Sequence, residues 1–220
     1  MSRTPLLLGH RGARATRSIA ENTITSFDLA LKHGCDGFEF DVRMKNCGRA
    51  VICHDPVVDG IAVSTAACDE LTHLPELRGI LARYAERAFL NIELKVPGLE
   101  SQLLVHLKEH VPQRGYVVSS FSPQVISELR VRSGSAVLGI IYGERDQFEW
   151  KELPVQYVIP HYSLITRELL NEVHGAGKAV LAWTVNDKDS MLRLRDWGVD
   201  GIISDDTELL VRTLGTGQSA

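Results

Sequence analysis

Three carboxylic acids in two short β-rich runs are the residues of this sequence best suited to hold a metal ion. Glu39 and Asp41 are two residues apart in one run, and Glu93 stands in a later one. Residues two apart on a strand share a face, so Glu39 and Asp41 point the same way. Buried carboxylates need a cation, because desolvating them is costly. The pattern therefore predicts a site for a hard divalent cation such as Mg²⁺ or Ca²⁺.

A buried ion network is the alternative explanation for the same acids. Arg43 follows Asp41 by two residues, and Lys95 follows Glu93 by two, so each basic residue shares a face with the acids before it. We favour the metal site, because two separate strands that both end in such acidic and basic pairs are uncommon for a purely structural reason.

Two histidines follow predicted strands close to these acids in the chain. Histidine titrates near neutral pH, so one of His10 and His54 can accept a proton while the other donates one. Arg11 suits bidentate contact with a phosphate, and Lys95 supplies a point charge. The four residues predict acid–base chemistry on a small anionic ester.

Three further residues have weaker signals. Glu21 precedes a helix whose N-cap is expected at Asn22 or Thr23, and it could orient Arg11 or a substrate hydroxyl. Trp183 ends a predicted strand and either lines the site against a substrate carbon chain or packs. His161 follows another strand on the same side, where a wall or packing role is expected.

An alternation of strands and helices positions these residues. Eight β-rich runs alternate with stretches of helical periodicity, and they begin near Leu6, Gly37, Phe89, Gly115, Ala136, Val155, Lys178 and Gly201. This order predicts an α/β fold, a single-domain (β/α)₈ TIM barrel over residues 1–220 with a core of about residues 6–214. Active sites of such barrels lie at the carboxyl ends of the strands, which is where these residues stand. A doubly wound sheet is disfavoured, because no glycine-rich dinucleotide loop follows the first strand.

One insertion interrupts the alternation. The run at residues 50–55 reads as an extra strand that either pairs in a hairpin with the second strand or extends it at the rim of the site. The insertion continues to about residue 73.

Composition limits the classes of partner. The chain has 220 residues, is 44% hydrophobic and carries a formal net charge of -4, which excludes a disordered chain and gives no basic excess for nucleic acid. No apolar run approaches the roughly 18 residues of a membrane span. We expect a small-molecule substrate, no nucleic acid and no stable membrane insertion, in a monomer or a homo-oligomer. Without a signal-like N-terminus or a CxxC pair, we expect four reduced cysteines and a cytoplasmic location.

Seven short motifs carry the candidate residues in a fixed order. They are His10-Arg11-Gly12, Glu21-Asn22-Thr23, Glu39-x-Asp41, His54-Asp55, Glu93-x-Lys95, Ser120-Phe121 and Trp183-Thr184-Val185-Asn186. Their order resembles the signature of the glycerophosphodiester phosphodiesterase family, from about Leu8 to Asp205. The resemblance implies a barrel of the phospholipase-C-like phosphodiesterase type that hydrolyses glycerophosphodiesters to glycerol 3-phosphate and an alcohol.

The resemblance also implies a role for each residue. His10 and His54 would be general acid and base, and Arg11 and Lys95 would contact the phosphate, with Glu21 and Trp183 near the substrate. The ligands of one Mg²⁺ or Ca²⁺, or else Mn²⁺, would be Glu39, Asp41 and Glu93. The family route would have a glycerol hydroxyl attack phosphorus, after which water opens the cyclic phosphate.

The sequence departs from the family pattern in places. Ala20 and Thr207 stand where proline is common, and the insertion after His54-Asp55 is short, which would leave the alcohol side of the site more open. A lysophospholipase D-type phosphodiesterase therefore stays an alternative, and a non-catalytic binding barrel is a less favoured one. An isomerase or aldolase barrel is disfavoured, because Asp205-Asp206 would repel a phosphate after the last of the eight predicted strands. A binuclear metal hydrolase is disfavoured for want of His-x-His on strand 1.

Overall fold

A computed structural model describes residues 4–144 and 149–215 of the chain. Its strands are β1 Leu6–His10, β2 Gly37–Met44, β3 Ala50–Ile52, β4 Val57–Val58, β5 Ile61–Ala62, β6 Phe89–Leu94, β7 Tyr116–Ser120, β8 Leu138–Tyr142, β9 Tyr157–Pro160, β10 Ala179–Ala182 and β11 Gly201–Ser204. Its helices are α1 Ile24–His33, α2 Leu77–Tyr84, α3 Glu100–Glu109, α4 Pro123–Arg132, α5 Arg167–Gly175, α6 Lys188–Trp197 and α7 Thr207–Leu214. Within these ranges no helix is both long enough and apolar enough to cross a membrane.

Eight of these strands close into a parallel barrel, as the alternation predicts. Hydrogen-bonded neighbours follow the order β1-β11-β10-β9-β8-β7-β6-β2, and β2 pairs back with β1. The strands that carry the acidic residues, β2 and β6, are direct neighbours, with Asp41 opposite Glu93. Closure at β1 sets His10 opposite Glu39. The TIM-barrel prediction is confirmed.

The alternating pattern of β2 places its apolar side chains outside the barrel and its charged ones inside. Phe38, Phe40 and Val42 are fully buried in the large cluster between the barrel and its helices. The alternate residues of β2 point into the barrel, where the acids lie. Below them, a smaller cluster fills the interior, and it contains Leu8, Phe89, Val117, Ile141, Ile159, Leu181 and Ile203. The acidic residues of β2 and β6 therefore lie above this apolar layer, at the carboxyl end of the barrel.

The insertion forms a hairpin with β2, which confirms the first of the two predicted alternatives. Strand β3 pairs antiparallel with the end of β2, with Val42 opposite Ile52. The two-residue strands β4 and β5 follow as a second small hairpin. Val63, Ala66 and Leu71 pack against Val51 and Cys53, at and just after β3, in a separate apolar cluster. Because β3 pairs with β2, this cluster anchors the segment after His54 to the barrel.

The prediction of four reduced cysteines is wrong for one pair. Cys47 and Cys68 form a disulfide, while Cys35 and Cys53 are buried free thiols. The turn between β2 and β3 lies against the insertion, where the buried Lys45 ammonium donates to the carbonyls of Cys68 and Glu70. This packing brings together two cysteines whose spacing matches no common motif. The cytoplasmic location loses the support of reduced thiols and stays a prediction.

Replacing both bridged cysteines with serine should destabilise the oxidised protein. The bridge joins residues 21 apart, and a closed loop of that size contributes about 3 kcal/mol in the chain-entropy account. Urea unfolding of the wild type and of the Cys47→Ser, Cys68→Ser variant measures the difference. We expect the difference to shrink strongly in reducing buffer, and equal stabilities without reductant would contradict the bridge.

Candidate active site

A cavity of about 230 Å³ opens at the carboxyl ends of the barrel strands. Its polar lining is His10, Arg11, Glu39, His54, Asn91, Glu93 and Lys95. Its apolar lining is Phe121, Ile141, Ile159, Trp183 and Ile203. One side of the cavity is therefore highly charged and the other is apolar, which suits a ligand with an anionic group and a carbon skeleton.

The three acids predicted from the sequence meet beside this cavity. Glu39, Asp41 and Glu93 are all buried, and each offers an oxygen within 4.8 Å of the other two. Burial and the charges of Asp41 and Glu93 raise the pKa of Glu39 well above its usual value. Burial and the charge of Asp41 raise the pKa of Glu93 to about 7. The cluster thus stores electrostatic repulsion that a cation would relieve.

The donor set fits a hard divalent cation. All three residues present carboxylate oxygens, which Mg²⁺ and Ca²⁺ prefer. Glu39 Oε2 accepts the Arg11 backbone N–H at 3.0 Å, whereas the buried Glu39 Oε1 has no hydrogen-bond partner within the described parts of the chain. A buried carboxylate oxygen without a donor is rare and costly, so Oε1 is suited to act as a metal ligand.

The alternative explanation, a buried ion network of the acids with Arg43 and Lys95, is present only in part. Lys95 Nζ lies 2.7 Å from Glu93 Oε1 and 3.5 Å from Asp41 Oδ1. Burial lowers the pKa of Lys95, but the two carboxylates outweigh it and the net shift is upward. Arg43 does not join the acids; its Nε donates to the His54 carbonyl at 2.8 Å. One of the two proposed basic partners therefore faces the cluster, while the other supports the segment that bears His54.

The loop after β1 folds back over the cluster. Arg11 and Asn22 have φ of 54° and 57°, and Gly12 has φ of 84°. A Cβ on Gly12 would lie 2.3 Å from Ser26 Oγ, so this turn requires glycine. Arg11 Nε reaches 3.3 Å from Asp41 Oδ2, and Asn22 Nδ2 donates to the same oxygen at 2.8 Å. The loop therefore positions both the Arg11 guanidinium and the Asn22 amide against Asp41.

Both predicted histidines line the cavity. His10 is buried, with Nε2 3.9 Å from Glu39 Oε2 and Nδ1 2.7 Å from Asp205 Oδ1. His54 is half-buried, and its Nδ1 lies 2.8 Å from Asp55 Oδ1. Each imidazole thus has a carboxylate at Nδ1.

The three residues with weaker signals lie at the edge of the site. Glu21 Oε1 accepts from Arg11 Nη1 at 2.8 Å, so Glu21 orients Arg11, as one of its two expected roles requires. Trp183 lines the cavity and donates from Nε1 to the Ile159 carbonyl at 3.0 Å. His161 packs edge-on against Trp183 at 5.5 Å between ring centroids, consistent with the expected wall role.

Sequence reasoning assigned no role to four residues of the site. Asn91 is fully buried opposite Glu39, and its Nδ2 has no hydrogen-bond partner among the described residues. Phe121 packs edge-on against Trp183 at 5.5 Å, and Asn186 donates to Asp205. Asn91 and Glu93 are two residues apart on β6 and therefore share a face, which is the sequence pattern that points to Asn91 as a site residue. Asp205 stands at a predicted strand end, where the sequence indicates only that its charge would repel a phosphate.

Comparisons with known proteins agree on one family. The sequence model described as "Glycerophosphoryl diester phosphodiesterase family" matches residues 10–101 and 90–209. A glycerophosphodiester phosphodiesterase of Caldanaerobacter subterraneus subsp. tengcongensis is 27% identical over 241 residues, covering 96% of this chain and 98% of that protein.

Solved structures agree on the fold. A glycerophosphodiester phosphodiesterase from Parabacteroides distasonis superimposes with a TM-score of 0.83 at 26% identity, covering 97% of this chain and 98% of that one. An Oleispira antarctica phosphodiesterase, solved in complex with the product sn-glycerol-3-phosphate, gives a TM-score of 0.84 at 24% identity, with 97% and 98% coverage.

The repulsion among the acids predicts how stability varies with pH in chelator. The folded-state pKa of Glu93 is about 7, above its ordinary value of 4.5, so this group's contribution to stability is fully present below about pH 4.5. It is lost as the pH rises towards 7, with a magnitude on the order of 2–3 kcal/mol. Urea unfolding in chelator at pH 5 and pH 8 measures this change.

A matched pair of variants isolates this contribution. Glu93→Gln should flatten the pH dependence, whereas the same change at the exposed Glu86 should leave it as in the wild type. If Glu93→Gln retained the full pH dependence, the repulsion would lie elsewhere.

Proposed function

The chain belongs to the glycerophosphoryl diester phosphodiesterase family, and from that premise we propose that it hydrolyses glycerophosphodiesters to glycerol 3-phosphate and an alcohol with one divalent cation. The family is a class of phosphoric diester hydrolases. The observation that carries the proposal is the group of three buried carboxylates within 4.8 Å, beside two basic residues and two imidazoles in one cavity. The sn-glycerol-3-phosphate in the Oleispira antarctica structure supports this product.

Glu39, Asp41 and Glu93 would hold the cation. The fit rests on their carboxylate oxygens and on Glu39 Oε1, which has no hydrogen-bond partner in the part of the chain that the structure describes. Mg²⁺, Ca²⁺ and Mn²⁺ all accept such ligands. When bound, the ion supplies positive charge beside the phosphoryl oxygens.

Arg11 and Lys95 would contact the phosphate. Both border the cavity, and both are held by carboxylates, Arg11 by Glu21 and Asp41 and Lys95 by Glu93. Arg11 Nε is buried 3.3 Å from Asp41 Oδ2, and this contact helps to fix the guanidinium beside the cavity. Donors that are fixed before the substrate arrives stabilise the charge that develops on phosphoryl oxygens. Glu21 acts through Arg11.

His10 and His54 would exchange the protons of the reaction. One imidazole takes the proton of the attacking hydroxyl, and the other gives a proton to the departing alcohol. The two rings line the same cavity, which supports this division of labour. On the opposite wall, Trp183 and Phe121 would contact the carbon atoms of the substrate.

We also propose that residues 1–220 act as one domain with a core of about residues 6–214. The support is that β1 begins at Leu6 and α7 ends at Leu214.

Release of glycerol 3-phosphate is the direct test of the proposed activity. We expect turnover of glycerophosphocholine, glycerophosphoethanolamine or glycerophosphoglycerol with Mg²⁺, Mn²⁺ or Ca²⁺ and none in chelator, because the acids need a cation to bind an anionic ester. An enzyme-coupled assay of glycerol 3-phosphate measures this. Full activity in chelator would refute the metal site, and release of lysophosphatidic acid from lysophosphatidylcholine alone would favour the lysophospholipase D alternative.

Removal of either imidazole should lower turnover without unfolding the protein. We expect His10→Ala and His54→Ala to reduce kcat by about 10²–10⁴-fold, the usual contribution of a positioned acid or base. Steady-state kinetics and circular dichroism measure the two effects. His110→Ala, at the carboxyl end of α3, is the control and should keep wild-type kcat. Near-normal kcat in both site variants would remove the acid–base assignment.

A further inference from the structure

Asp205 lies behind the imidazole of His10. It follows β11 directly, and its Oδ1 is 2.7 Å from His10 Nδ1. The other ring nitrogen, Nε2, lies on the side of Glu39 and the cavity. The side chains of Asp205 and His10 are only 18% and 11% exposed. The ring is therefore held between a carboxylate at its back and the cavity at its front.

Asp205 is itself fixed by neighbouring loops. Asn186 Nδ2 donates to Asp205 Oδ2 at 2.7 Å, and Asn186 Oδ1 accepts the Asp205 backbone N–H at 2.9 Å. Arg14 Nη1 reaches Asp205 Oδ1 at 3.3 Å. Burial opposes ionisation, but the hydrogen bonds from His10 and Asn186 and the charge of Arg14 lower the pKa of Asp205 to about 2. Asp205 is therefore an ionised, oriented acceptor.

An ionised carboxylate can only accept a hydrogen bond, so the proton of a neutral His10 must be on Nδ1. The lone pair is then on Nε2, which is the atom on the cavity side. The pair at His54 differs, because Asp55 is adjacent in sequence and its side chain is 72% exposed. An exposed, solvated carboxylate fixes a ring less firmly than a buried one.

We propose that Asp205 is a positioning residue that holds His10 in the tautomer with Nδ1 protonated, so that Nε2 is the atom that exchanges a proton with the substrate. The inference rests on the proposed function and adds to it which atom of His10 exchanges the proton. A purely structural role for Asp205 in the turn to α7 is the competing explanation. The side chain of Asp206, not Asp205, accepts the Leu209 N–H as the N-cap of α7, so the helix start does not need Asp205.

The first readout is the tautomer of His10 in the wild-type protein. Long-range ¹H–¹⁵N NMR correlations of the ¹⁵N-labelled, Mg²⁺-loaded enzyme distinguish protonated Nδ1 from protonated Nε2, with His10→Ala used for assignment. We expect His10 to show protonated Nδ1, and protonated Nε2 would overturn the proposal. This measurement needs no turnover, so it stands even if the proposed activity fails.

The second readout is the kinetics of Asp205 variants. Asp205→Asn should lower kcat by about 10²–10⁴-fold with little change in KM or melting temperature, because an amide can donate to Nδ1 and favour the wrong tautomer. Asp205→Glu keeps the carboxylate and should recover at least tenfold of that loss. A kcat within about threefold of wild type in Asp205→Asn, or an equal loss in Asp205→Glu, would overturn the proposal.

A second aspartate–histidine pair supplies the matched control. Asp200 Oδ2 lies 2.9 Å from His174 Nε2, and neither residue lines the cavity. Asp200→Asn makes the same chemical change outside the site and should keep wild-type kcat. If Asp200→Asn lowered kcat as much as Asp205→Asn, the effect would come from general loss of stability and the proposal would fail.

Discussion

The burial of three mutually repelling carboxylates at one end of the barrel is the constraint on which the rest of the site depends. When all three are ionised, Glu39, Asp41 and Glu93 carry three negative charges against the two positive charges of Arg11 and Lys95, and the raised pKa values of Glu39 and Glu93 oppose that state without an ion. A bound dication would favour the ionised acids and change the excess of one negative charge to one positive charge. A phosphodiester carries a single negative charge, so the loaded site and its substrate would balance. Burying charge is tolerable only with such compensation.

The parts that were predictable from the sequence follow from local rules. Alternation in β2 separates Phe38 and Phe40, which pack under the helices, from Glu39 and Asp41, which point into the barrel. Parallel strands also bring the carboxyl ends of distant segments to one rim, so Glu93 meets the acids of β2 although about fifty residues separate them. Strand periodicity and strand order therefore suffice to predict the cluster.

The parts that were not predictable depend on side-chain direction and on contacts across the insertion. Arg43 shares a strand face with the acids, but its long side chain turns to the His54 carbonyl. Cys47 and Cys68 meet because a hairpin turn and the insertion pack together, and no spacing rule describes that packing. Asp205 reaches His10 only through barrel closure, so the sequence alone shows its charge but not the imidazole that the charge faces.

The contact between His10 and Asp205 joins the first barrel strand to the last, across 195 positions of sequence. A nascent chain that has not yet released β11 from the ribosome already contains every carboxylate of the cluster, but the His10 ring has nothing behind it. The Nδ1 atom of His10 therefore gains its carboxylate partner only when the last strand has closed the barrel against the first.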